Sequence, residues 1–215
     1  MKRIFGPDSK LFSIMTMLME LAEINVMFLL CSLPIVTMGA AASSMYESLW
    51  LMQKYGEGGF SAKHFLSTFR RTLKRAAPVG CVGLLAIVLL INNLVYVAAS
   101  AEGMTRLAFS AIYLILFVLI GGMLQICLFS ISMAEDWNRD YVKDSFLLAV
   151  ARYPYVLVNV ALTASPLVIL MMPGATLLRL LPLILLFWIA CPAYVCVSLM
   201  VKILRPQYAV WFDKE

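Results

Sequence analysis

The chain has 215 residues, of which 63% are hydrophobic and 13% charged, with a formal net charge of +5. Soluble domains carry about 25% charged residues and roughly 45–50% apolar ones, so a soluble single domain is excluded. At a mean hydropathy of +0.91, the surplus of Lys and Arg marks cytoplasmic loops rather than a nucleic-acid surface, and no nucleic-acid partner is expected.

Every charged residue lies outside five windows, 24–46, 76–101, 107–134, 153–178 and 180–201. A stretch of about 20 apolar residues covers roughly 30 Å of hydrocarbon as a helix, and a membrane β-barrel would alternate instead. The fold class is therefore all-α, a polytopic helical membrane protein with about five transmembrane helices. The spans fall at about 14–38, 78–100, 107–134, 155–172 and 180–203, within one membrane domain covering 1–215.

In chain order, a first helix over about Ser9 to Leu33 is expected to end or kink at Pro34. Ala40 to Tyr46, rich in small residues, either starts a second helix or packs closely on neighbours. Lys2 and Arg3 before an apolar run raise the question of a signal peptide. The charge of Glu23 so far along the chain argues against cleavage.

Residues 56–59 read as a turn. Phe65, Phe69 and Leu73 then recur every four residues among Lys63, Arg70, Arg71, Lys74 and Arg75, the pattern of a basic amphipathic helix (61–75) lying in the membrane interface. It is expected to stop at Pro78. A second loop helix, 137–152, precedes Pro154, so the two prolines lead into spans at an offset of 77 residues and suggest a parallel internal repeat.

Lys and Arg number twelve in the segments 47–75, 135–152 and 202–214, against five on the other face. This places the N-terminus outside, the C-terminus in the cytoplasm, and both loop helices on the cytoplasmic side.

Chemistry-bearing residues are few. His64 is the one histidine, no partner for it is identifiable, and it reads as solvated or at headgroup level. Glu20 and Glu23 read as headgroup-level residues at the start of the first helix, although in lipid they would count as functional. Glu135, Asp136, Asp140 and Asp144 alternate with Arg139 and Lys143, as on a solvated helix with internal ion pairs. Asn25, Asn92, Asn93, Gln125 and Asn159 do not converge on one depth and are expected to make interhelical hydrogen bonds. The five cysteines all fall in apolar windows and read as packing residues. Catalytic, metal and cofactor residues are expected to be none.

Asn25 to Gly39, ending in Leu33-Pro34-Ile35-Val36-Thr37-Met38-Gly39, resembles the signature of the YesL-like family of bacterial membrane proteins. Ala40 to Ser44 with Tyr46, Gly56-Glu57-Gly58-Gly59, and Phe65, Phe69, Arg70 and Lys74 extend the resemblance over residues 20–78. Ala40 departs from the Pro of many members. The resemblance makes Asn25, Pro34, Thr37 and Gly39 the motif candidates and supplies no catalytic residue. It implies the cell membrane of a bacterium and a genomic place beside carbohydrate uptake systems.

The function expected is thus a non-enzymatic accessory to oligosaccharide uptake. Its partners would be the lipid bilayer and a sugar permease of an uptake transporter, its oligomeric state being open. A stand-alone small transporter or channel-like protein is the alternative, and an intramembrane enzyme the third reading.

Overall fold

The computed structural model describes residues 10–56, 61–100, 102–134, 140–170 and 189–206. The expectations placed on Lys2, Arg3, Glu57 to Gly59, Glu135 to Arg139 and Arg179 lie outside these. Seven α-helices are described: α1 Lys10–Ser32, α2 Met38–Tyr55, α3 Ala62–Ser100, α4 Gly103–Met133, α5 Asp140–Ala151, α6 Tyr153–Leu170 and α7 Ala190–Leu204. The chain is an all-α membrane protein. Leu11–Ser32, Ala62–Val97 and Gly103–Met133 are each long and apolar enough to cross a bilayer, and the bent pair α5–α6 makes a fourth if taken as one span. Part of the expected fifth span lies outside the described residues, which hold only the shorter apolar helix α7.

The first expected span, 14–38, is corrected to a helix plus a break. Leu33 precedes a proline, a position that disfavours helical backbone. Pro34 itself is extended (φ −76°, ψ 119°), and Ile35–Thr37 form a single 3-10 turn. The apolar window 24–46 is thereby divided between α1 and α2. The small-residue run becomes the first turns of α2, where Ala40, Ala41, Ser43 and Ser44 are all fully buried.

The helix expected to stop at Pro78 does not stop. The basic segment and the following span form one α3 of 39 residues with Pro78 inside it. A mid-helix proline withholds one N–H and crowds the preceding turn. Here Ala76, Ala77 and Gly80 on both sides of it are buried, and this packing outweighs the local cost. Pro154 is different, because it stands in the first turn of α6, where its missing N–H has no helical partner to lose. There the chain bends by 100° between α5 and α6. The two proline units therefore differ in geometry at the proline, and the second hairpin of the expected repeat lies partly outside the described residues.

α2 is the centre of the bundle, packed against α1, α3, α4 and α7. It runs antiparallel to the first half of α3, since Gly39 meets Ala76 and Gly80 while Glu47 meets His64, Thr68 and Arg71. α4 returns antiparallel to α3, bringing Ser132 to Arg71 and Leu124 to Gly83. Burial in this hairpin is one-sided. Phe65, Ala76 and Ala77 of α3 and Val118 and Ile126 to Ile131 of α4 join the core, while Val82, Leu85, Val88, Leu89, Val95 and Tyr96, and Met104, Leu107, Phe109 and Ile112 opposite them, are exposed. A stretch from residue 82 to 100 rises about 27 Å, close to the thickness of a hydrocarbon layer.

Candidate functional site

Of the motif residues, Pro34 and Thr37 lie in the α1–α2 break, Gly39 opens α2 just after it, and Asn25 stands within α1. Thr37 Oγ1 lies 2.7 Å from the carbonyl of Cys31 and 2.8 Å from that of Pro34, covering acceptors that the helix end would leave open. Gly39 sits where α2 and α3 touch backbone to backbone: a Cβ on it would strike the Ala76 carbonyl and stand 2.8 Å from Gly80 Cα. Only glycine fits that crossing. Asn25 is wholly buried on α1, and its Oδ1 accepts the N–H of Ala190 at 3.2 Å. It thus serves one of the orphan donors at the start of α7, the interhelical bond expected of it.

The most concentrated polar chemistry surrounds Glu47, which lies outside the motif. Its side chain is buried, 7% of the residue being exposed. Oε1 receives Thr68 Oγ1 at 3.1 Å and stands 3.1 Å from Nε2 of His64. Arg71 Nη2 reaches Oε2 at 2.9 Å and Oε1 at 3.1 Å, and also donates to the Ser132 carbonyl at 2.8 Å. His64, Thr68 and Arg71 recur at i, i+4 and i+7, one face of α3. Glu47 lies on α2 and Ser132 at the end of α4, so the cluster ties three helices at one level. His64 is exposed, as the solvated reading has it, but the expectation that it lacks a partner is corrected, since it stands beside Glu47. No spacing rule exposes that partner, because it depends on how α2 folds back on α3.

The basic residues of α3 divide by face. Lys63, Arg70 and Lys74 are exposed, Arg75 is half-buried, and Arg71 is turned to Glu47. The apolar face of this segment, expected to meet lipid, instead puts Phe65 fully into the protein core, with Thr68 and Thr72 beside it.

Other polar residues are used singly. Gln125 Nε2 donates to Thr163 Oγ1 across the α4–α6 contact, as expected. Asn93 Nδ2 bonds the Leu89 carbonyl of its own helix at 2.9 Å and is exposed, so its expected interhelical bond is corrected to a local one. Asn159 is buried, and its Oδ1 meets no hydrogen-bond donor among the described residues. Glu20 is drawn into the bundle while Glu23 is exposed, so the two do not share one environment. Gln53 links α2 to α7 by donating to the Tyr194 carbonyl at 2.6 Å and accepting from Ser198 Oγ at 3.1 Å. Beside it, Trp50, Gln53, Lys54, Val201 and Arg205 line a recess of about 260 Å³. Cys127 and Cys196 are buried free thiols, packing residues as expected. Among the described residues no group of three or more His, Cys, Asp or Glu side chains is placed to hold a metal ion.

No curated protein and no solved structure matches the chain. Residues 21–94, from the buried face of α1 through the motif, α2 and most of α3, match the family model described as Protein of unknown function, DUF624, the name by which the YesL-like family is also known.

Proposed function

We propose that this chain is a multi-pass protein of the bacterial cell membrane that assists oligosaccharide uptake by assembling with a sugar permease, without catalysing a reaction itself. The observation that carries the reading is how the polar groups are spent. Glu47, Arg71, Asn25, Gln53 and Thr37 bind helix to helix or cover helix ends, while the α3–α4 hairpin presents a long apolar surface. Such a molecule is built to be held against other membrane components. Carbohydrate enters through the family resemblance alone.

The orientation with the N-terminus outside and the C-terminus in the cytoplasm belongs to the same proposal. In its favour, Lys54 and Arg205 line one recess where α2 and α7 finish, Lys202 stands in the last turn of α7, and the basic half of α3 packs along α2. The stand-alone carrier is the second reading, favoured by the recess at Trp50, Gln53, Lys54 and Arg205. An aromatic face beside an amide and cations suits a hydroxylated or anionic solute.

Deleting the gene is expected to weaken growth on a complex glycan or oligosaccharide while leaving growth on glucose intact, and the protein is expected to co-purify with a permease. Sugar movement into liposomes containing this protein alone would reject the accessory reading and support the carrier.

A further inference from the structure

We propose that the groove where α5 meets the α3–α4 hairpin holds an acyl chain of an anionic glycerophospholipid, whose phosphate rests on the cations at the groove's basic end. The groove measures about 410 Å³, and its walls include Pro78, Val82 and Ala86 of α3, Ile120 and Leu124 of α4 and Val142 of α5. Nothing in that lining offers a charged side chain, so a hydrocarbon chain is its natural content.

Charge supplies the other half of the argument. Arg75 precedes Val79, Val82, Gly83 and Ala86 at helical spacing and so shares their face, one turn beyond the groove's start. Lys74 is its exposed neighbour, and between positions 61 and 78 α3 contains no acid. On the opposite wall Lys143 follows Val142 and is exposed, with Asp140 and Asp144 on either side of it. These two carboxylates offset Lys143, so the net positive charge beside the groove is carried by α3. The groove also begins where the charge-free part of α3 begins, so the change from apolar to cationic side chains coincides with the depth at which a lipid changes from tail to headgroup.

The test uses the full chain, purified from membranes and incubated with mixed micelles of phosphatidylglycerol and phosphatidylcholine, with retained lipid counted by native mass spectrometry. The parent is expected to retain phosphatidylglycerol in preference. Val82→Trp and Ala86→Trp, which fill the groove, should lose the retained lipid, whereas Leu89→Trp, on the same helix but outside the lining, should keep it. Lys74→Gln with Arg75→Gln should reduce the preference for the anionic lipid about thirtyfold, at about 1 kcal/mol for each cation. Groove-filling variants that retain lipid like the parent would overturn the proposal. A photoreactive acyl chain on phosphatidylglycerol gives a measurement that needs no variant. Labelling concentrated at residues 78–86 and 120–127 supports the site, and labelling spread evenly along the hairpin rejects it. Disulfide capture of a second copy through Val82→Cys would assign the groove to a partner helix instead.

Discussion

At the scale of single residues, the crossing of Gly39 with Gly80 is the least forgiving point in the described chain. Gly39→Ala must push backbone against backbone, because the atoms met are the Ala76 carbonyl and Gly80 Cα. A cost of about 1–3 kcal/mol is expected, read as a lower melting temperature in detergent and less folded protein in the membrane. Gly121→Ala is the control, since its new methyl would stand 3.5 Å from a Val160 methyl and should be tolerated. If Gly39→Ala matched the parent in abundance and heat stability yet lost function, the motif would be a binding surface and not a packing device. The Glu47–Arg71 pair is measured separately. Arg71 is about half exposed, so a double-mutant cycle with Glu47→Gln and Arg71→Gln is expected to give a coupling of only about 1 kcal/mol. A coupling near zero would leave the Ser132 bond as the arginine's main contribution. Pro34 and Thr37 were legible from local rules, because a proline's effect on its predecessor and a hydroxyl's reach to a nearby carbonyl need no tertiary information. Glu47 was not, since it stands one residue beyond a charge-free window and its partners are supplied by another helix.

At the scale of elements, α3 shows where local rules are overridden. Periodicity identified the amphipathic face over 61–75, but Pro78 was read as its end, because sequence alone does not reveal that Ala76, Ala77 and Gly80 are clasped by a neighbour. If tertiary packing and not local propensity keeps α3 continuous, Pro78→Ala should leave the fold and the helix content unchanged. Stability should hold or rise slightly, because the substitution restores one backbone hydrogen bond. A fall in melting temperature of several degrees would mean that a proline-induced bend is itself needed for packing. The α5–α6 corner was marked by Pro154 in the same notation, and only the structure distinguishes a proline inside a helix from one at a helix start.

For the whole molecule, the charge-free windows made the all-α membrane class legible, whereas α2 was obscured because its small and polar residues do not resemble a span. The proposed orientation is checked with Tyr55→Cys and Met104→Cys, each in a background lacking the five native cysteines; both parent residues are exposed, at 59% and 84%. An impermeant thiol reagent applied to intact cells should label position 104 and spare position 55. The reverse pattern would invert the orientation, and labelling at both would break the span assignment. The uninterrupted course of α3 has a mechanical consequence. The helix touches α2 backbone to backbone at Gly80, near its midpoint, and its basic half is clamped as well, to Glu47 of α2 and the Ser132 carbonyl of α4. About 30 Å of apolar helix continues beyond the Gly80 contact. The hairpin it forms with α4 is therefore a cantilever held at one end, and whatever reseats α2 against the basic half would swing the hairpin's far end through the bilayer.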